Sequence, residues 1–136
     1  MRTARTERTT SGPRAERVAD PLKPRVTGLL RLARKAGSIV VGIALTREAV
    51  RSGRARAIWI ADDLAERRDV SLVARWRAAN VVIYRGWTKD ELGDLAGKPA
   101  VAVLSVTDPN IAAGVSRIVA TAAVSIEKER QGGEQQ

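Results

Sequence analysis

The chain has 136 residues, of which 44% are hydrophobic and 29% are charged, so it is long enough for one domain with a buried core. It contains no cysteine and no histidine, which excludes disulfides, thiolate metal sites, cysteine nucleophiles and histidine-dependent catalytic triads. No apolar run is long enough to cross a bilayer, so we expect no membrane span. The lack of cysteine fits a cytoplasmic location, and no cofactor is expected.

The net charge of +9 is distributed unevenly along the chain. Residues 1–56 hold 14 of the 24 Lys and Arg but 4 of the 15 Asp and Glu, a net charge of +10, whereas residues 57–136 have a net charge of −1. Most of the cations are arginines, whose planar guanidinium suits phosphates and base edges. This asymmetry indicates a nucleic acid, or another acidic surface, as the partner.

Both ends of the chain differ in composition from its middle. Residues 1–24 combine six basic residues with three prolines and few large apolar side chains, which predicts a disordered basic tail. Residues 127–136 are polar and rich in Gly and Gln, which predicts a flexible C-terminal tail. A single domain is expected at residues 25–126.

Helical and strand patterns alternate between these tails. In chain order they predict a helix over 26–36, a strand at 39–41, a helix over 44–52, a strand at 57–61, a helix over 69–79, a strand at 81–84, a short helix from 88, a strand at 101–106 and a last helix through about 122. In the second helix we expect Leu45 and Ala49 to face inward. The alternation predicts an α/β fold, layered as an α/β/α sandwich.

Two of these helices have clear start signals. Thr88-Lys89-Asp90-Glu91 is a capping box, in which the Thr hydroxyl and the Glu carboxylate each accept a hydrogen bond from a backbone amide. Asp108-Pro109 combines an N-cap residue with a favoured first helical residue.

Basic residues recur at helical spacing on the first two helices. Arg47, Arg51 and Arg54 are four and three residues apart and form one stripe. Near the end of the first helix lie Arg31, Arg34 and Lys35. If the two helix ends are neighbours, these groups form a patch that neutralises several phosphates. The alternative is an ordinary solvated helix face, against which the charge asymmetry argues.

Other polar residues offer weaker signals. Asp62 and Asp63 follow a strand, where paired carboxylates can bind a metal or act as acid and base. Because the chain lacks His, Cys and a glycine-rich phosphate loop, we expect no enzyme, and we predict that these carboxylates start a loop or pair with the nearby Arg67 and Arg68. Gly42 precedes the second helix, where free amides can approach a phosphate, unless it is a simple turn residue.

The three tryptophans are candidates for stacking on bases. Trp59 lies in an apolar strand and Trp76 in a helix, so core packing is expected for both. Trp87 is the best of the three for an exposed role, although packing is favoured for it as well.

Several motifs, in order, resemble the bacterial branch of the L7Ae/L30e ribosomal protein superfamily. The matching segments are GLLRLARKAG at 28–37 followed by Gly42, AVRSG at 49–53, IWIADD at 58–63, and DELG at 90–93 with Ala96-Gly97 behind it. The resemblance spans residues 26–120. It implies a three-layer α/β/α sandwich around a four-stranded mixed sheet. It also implies binding to kink-turn RNA, in which a bulge flanks tandem sheared G·A pairs.

In that family the RNA-reading helix opens with Gly-x-Asn-Glu-x-x-Lys, and the Asn and Glu bind guanine edges. Here the Gly corresponds to Gly42, while the Asn, Glu and Lys positions hold Ala44, Leu45 and Glu48. The family's second RNA-facing loop corresponds to Lys98-Pro99-Ala100. Its Glu-Asp pair corresponds to Asp62-Asp63.

The resemblance and the missing polar groups together predict RNA binding with relaxed specificity. Each lost bidentate base contact removes about 1–3 kcal/mol of discrimination, whereas phosphate contacts remain. We expect a ribosome-associated or RNA-processing protein that docks on structured RNA through Arg34, Lys35, Arg47, Arg51 and Arg54. Ribosomal or RNA-processing proteins are possible further partners, and no small-molecule substrate is expected.

Two alternatives stay open. One is a protein-interaction module of the same fold that has lost RNA binding and uses the same surface against an acidic partner. The other, more remote, is a detached substrate-binding domain of an RNA methyltransferase.

Overall fold

The structure, a computed structural model, describes the backbone of residues 15–134 and the side chains of residues 15–121. These residues form five strands and five α-helices. In chain order the elements are β1 (Ala15–Arg17), a 3₁₀ turn (Asp20–Leu22), α1 (Lys23–Lys35), β2 (Ile39–Val41), α2 (Ile43–Arg51), β3 (Ala57–Ile60), α3 (Glu66–Ala78), β4 (Ile83–Arg85), α4 (Lys89–Ala96), β5 (Val103–Val106) and α5 (Pro109–Glu134).

The mixed sheet has the strand order β1-β4-β3-β5-β2. Strands β1, β4 and β3 are parallel, whereas β5 is antiparallel to both β3 and β2. Successive side chains of a strand point to opposite faces, so Trp59 packs with Leu30 of α1 and Leu92 of α4, whereas Ile58 packs with Trp76 of α3. Helices α1, α4 and α5 therefore cover one face of the sheet, and α2 and α3 cover the other. This confirms the predicted α/β/α layering.

The prediction of four strands was wrong, because β1 adds a fifth. It pairs with β4 in the register Ala15↔Ile83, and the Val18 amide then donates to the Arg85 carbonyl at 2.9 Å. Ordered structure thus starts inside the segment 1–24 that the composition predicted to be disordered, and residues 1–14 lie outside the described part. A three-residue edge strand followed by one buried apolar residue, Val18, leaves no periodic signal in the sequence.

Helix α5 begins as predicted. The Asp108 Oδ1 accepts hydrogen bonds from the amides of Asn110 at 2.8 Å and Ile111 at 3.4 Å. The helix continues to Glu134, past the predicted end near residue 122 and through most of the predicted tail 127–136. A polar composition is compatible with a solvated helix as well as with a coil, and most residues of the predicted tail are good helix formers.

The buried face of α2 is rotated relative to the prediction. Its buried residues are Thr46 and Ala49, so Ala49 faces inward as expected, whereas Leu45 is 58% exposed.

The capping box is confirmed: the Thr88 Oγ1 accepts from the Glu91 amide at 3.1 Å, and the Glu91 Oε1 accepts from the Thr88 amide at 2.9 Å. Trp59 and Trp76 are fully buried, as predicted.

Tyr84 is the chain's single tyrosine, and it is buried beneath α5. Burial raises the pKa of Tyr84 to about 12, the negative charge of Glu16 adds to this, and a hydrogen bond with Ser116 acts in the opposite direction. An unfolded tyrosine ionises near 10. Because the native pKa is the higher one, the stability contributed by neutral Tyr84 is complete below pH 10 and is lost as the pH rises toward 12.

We therefore expect the tyrosinate absorbance of the native protein to rise about two pH units later than that of the protein in denaturant. The free energy of unfolding should fall over the same interval. Tyr84→Phe serves as the control, since it removes this part of the pH dependence. Coincident titration curves for native and unfolded protein would contradict the burial argument.

Candidate nucleic-acid interface

Three segments meet at one end of the sheet. The Gly42 amide donates to the Val103 carbonyl at 2.8 Å, so the start of α2 lies beside the start of β5. The Ala61 amide donates to the Ala102 carbonyl at 2.8 Å, so the end of β3 lies beside the loop that leads into β5. We call this region the sheet-end surface, defined by residues 42–45, residues 97–102 and Asp62-Asp63. It brings together the predicted site residues Gly42, Ala44, Leu45, Asp62 and Lys98.

Helix α2 starts at this surface without a side-chain cap. Gly42 has φ of +102°, a conformation that L side chains rarely adopt. The first intrahelical bond is donated by the Thr46 amide to the Gly42 carbonyl at 3.0 Å, so the amides of residues 43–45 precede it. Because the Gly42 amide itself binds Val103, these three amides, and not that of Gly42, are the donors available to a ligand.

The loop 97–102 is anchored along α4. The Lys98 amide donates to the Gly93 carbonyl at 2.8 Å, and the Val101 amide donates to the Lys89 carbonyl at 3.0 Å. The Arg34 guanidinium lies directly over Gly97, so a Cβ at that glycine would collide with it. This places Arg34 near the carboxyl end of α4, where a cation is favourable. The loop's Lys98 side chain remains exposed.

The two carboxylates after β3 have structural partners. Asp62 forms an ion pair with Arg17 at 3.1 Å, and its Oδ1 accepts from the Gly86 amide at 3.1 Å. Asp63 Oδ1 accepts from the Lys89 amide at 2.9 Å. Of the two predicted roles, the loop start is confirmed, because both residues lie in the turn after β3, whereas the pairing with Arg67 and Arg68 was wrong. Among the residues that the structure describes, no cluster of three or more acidic side chains is arranged to hold a metal ion.

The predicted arginines lie in two layers. Arg34 and Lys35 are on α1, whereas Arg47, Arg51 and Arg54 belong to α2 and its exit on the other face of the sheet. The two sets lie on opposite faces of the sheet, so a surface that includes both has to extend around the edge strand β2.

Within the α2 stripe, the three arginines have different surroundings. Arg51 forms an ion pair with Glu48, and Arg54 Nε donates to Ser52 Oγ at 3.0 Å. Arg47 instead lines a cleft with arginines of α3. The sequence patterns above did not predict a role for these α3 arginines, and the available signal is the seven-residue spacing of Arg68 and Arg75.

Trp87 is buried, which rules out the exposed stacking role considered for it. Its Nε1 donates to Thr27 Oγ1 at 3.2 Å, and Lys23 Nζ lies 5.3 Å from the ring centroid. All three tryptophans therefore serve packing. No helix in the described part of the chain is long and apolar enough to cross a membrane.

Comparison with known proteins identifies relatives of this fold. A protein of unknown function from Bacillus halodurans C is similar at a TM-score of 0.65 and 19% identity, over 69% of this chain and 95% of that one. The Giardia lamblia 15.5kD RNA binding protein is similar at a TM-score of 0.62 and 19% identity, over 76% of this chain and 92% of that one. No curated protein sequence matches this chain. Because residues 25–116 match its profile, the chain belongs to the Ribosomal protein L7Ae/L30e/S12e/Gadd45 family.

Proposed function

We propose that this protein binds structured RNA as a ribosome-associated or RNA-processing factor and that it has no catalytic role. The observation that supports this most directly is the sheet-end surface, where the uncapped start of α2 lies beside the exposed Lys98 loop. Family membership and the fold shared with an RNA-binding protein of Giardia lamblia point to the same partner.

The start of α2 suits an RNA backbone. Its unpaired amides have a partial positive charge and can donate to a phosphate or to a base edge. Gly42 has no side chain to hinder the approach. Glu48 is already paired with Arg51, so its carboxylate repels a phosphate less than an isolated one does.

The side chains on the first turn of α2 limit which RNA bases the protein can recognise. Ala44 and Leu45 are exposed but offer no hydrogen-bonding group to a guanine. We propose that the ligand is kink-turn-like RNA bound with relaxed specificity, because each missing bidentate base contact removes about 1–3 kcal/mol of discrimination. Leu45 contributes apolar contact with a sugar or base face instead.

Salt titration tests the electrostatic part of this function. If Arg34, Lys35, Arg47, Arg51 and Arg54 neutralise about five phosphates, the logarithm of the RNA association constant should fall with the logarithm of salt concentration at a slope of about −4 to −6. A slope near half that value would indicate contact with one layer of arginines only. A flat dependence measured by fluorescence anisotropy would contradict phosphate docking.

A protein-interaction module remains the second candidate, because one specific feature favours it. Leu45 is 58% exposed, and Pro99 and Ala100 of the loop 97–102 are exposed as well, so the sheet-end surface is partly apolar. Crosslinking of the purified protein to RNA separates the two functions. Crosslinks at α2 or at the Lys98 loop support RNA binding, and their absence with all structured RNAs favours the protein partner.

A further inference from the structure

A second basic surface lies away from the sheet end, in a cleft between α2 and α3. The cleft has a volume of about 520 Å³. We call it the arginine cleft, and its charged lining residues are Arg47, Arg67, Arg68 and Arg75. We propose that it holds the sugar-phosphate backbone of an RNA strand that extends from the sheet-end surface; this proposal rests on the RNA-binding function above.

The positive charge of the cleft is not offset by ion pairs within the described residues. All four arginines are exposed, and the salt bridges found there involve none of them. Of the three acidic groups on the two helices, Asp69 pairs with Arg85 and Glu48 pairs with Arg51, whereas Glu66 adjoins Arg67 at the start of α3. An anionic ligand would therefore meet guanidinium groups that are available to bind it.

The position of two of these arginines is unfavourable for the helix itself. Arg67 and Arg68 lie in the first turn of α3, which starts at Glu66. Its N-cap residue, Ala65, has no side-chain group that could accept a hydrogen bond from the helix. A cation near a helix N-terminus opposes the helix dipole, by about 0.3–1 kcal/mol in exposed positions. Helix stability thus gives no reason for these arginines, whereas a bound phosphate would interact favourably with both the guanidinium groups and the amides.

The length of the cleft favours a polymer over a single small anion. Arg68 and Arg75 are two turns apart, which is a rise of about 10.5 Å along α3. At the axial spacing of about 3.4 Å per phosphate known for one DNA strand, this distance spans about three phosphates. The rest of the lining consists of Ala65, Ser71 and Leu72, which supply little for reading bases, so binding here should be independent of sequence.

Helix α2 links the cleft to the sheet-end surface. Arg47 lies four residues, about one turn, after Ile43 and so on the same side of α2 as the first residue of the helix, and an RNA strand that reaches the start of α2 can extend along this side toward α3. Two contact regions joined in this way explain how affinity can persist without the family's base-reading side chains.

The test compares double variants that remove two positive charges each. Arg67→Gln with Arg75→Gln removes charge from the cleft, and Arg25→Gln with Arg117→Gln removes it from exposed positions on α1 and α5 in the opposite layer. Association with a kink-turn hairpin and with a plain RNA duplex is measured at several salt concentrations. We expect the cleft variant to reduce the magnitude of the salt slope by about two, equally for both RNAs, and the control to change it little.

A lysine pair, Arg67→Lys with Arg75→Lys, should keep the wild-type slope because it retains the charge, and melting curves show that every variant is folded. If the wild-type protein binds RNA and the Gln cleft variant has the same salt slope, the proposal that the cleft binds RNA is overturned, while the proposed function still stands. An equal loss in the opposite-layer control would also overturn it, because net charge alone would then explain the effect. Failure of the wild-type protein to bind either RNA would overturn both proposals.

Discussion

Gly93→Ala should destabilise the protein by about 1–3 kcal/mol, the range typical of overpacked sites. Gly93 lies on the buried side of α4, and a Cβ there would stand 2.6 Å from the Lys98 carbonyl oxygen and 2.9 Å from the Ala100 Cα. Both are backbone atoms, so relief requires the loop to move away from the helix. The Lys98 amide that donates to the Gly93 carbonyl would be displaced with it. Urea unfolding measures the effect.

Gly28→Ala is the matched control, since Gly28 also lies within a helix, α1, and a Cβ there meets nothing within 4 Å. It should stabilise the protein by up to about 1 kcal/mol, as expected for Gly to Ala in an open helical position. The two substitutions are chemically identical, so opposite signs isolate the contact between α4 and the loop. A stabilising Gly93→Ala would show that the loop 97–102 does not lie against α4.

Periodic patterns predicted the long elements of this fold, and local chemistry predicted their starts. The capping box at Thr88 and the N-cap at Asp108 are interactions between residues three or fewer positions apart, so the sequence contains all the information they need. Strand β1 could not be predicted in this way. Its stability comes from pairing with β4, almost seventy residues later in the chain, and from the Arg17–Asp62 ion pair.

The candidate site also contains features that the sequence could predict and features that it could not. The sheet-end residues were identified because their order resembles a family, and the structure places them together through the bonds of Gly42 and Ala61. The inward position of Leu45 was predicted from spacing alone, which does not fix the rotation of a two-turn helix when its buried residues include a threonine, Thr46. The arginine cleft depends on which helices are neighbours, and periodicity within one helix does not contain that information.

Restoring the family's polar residues should restore preference for kink-turn RNA. Ala44→Asn and Leu45→Glu would supply groups that bind guanine edges, and Glu48→Lys would replace an acidic group with a supporting cation. Two recovered contacts of about 1–3 kcal/mol each predict roughly a hundredfold gain in preference for a kink-turn over a plain duplex. Because Ala44 and Leu45 are both exposed, the substitutions should cost little core stability.

The single variant Glu48→Lys is the control for charge. It breaks the exposed ion pair with Arg51, worth at most about 1 kcal/mol, and adds positive charge without adding a base-reading group. It should therefore strengthen binding to both RNAs alike and leave the preference unchanged. A triple variant that melts like the wild type yet shows no greater preference than Glu48→Lys would mean that α2 does not meet RNA as the family's reading helix does. The exposed Leu45 would then favour a protein partner at the sheet-end surface.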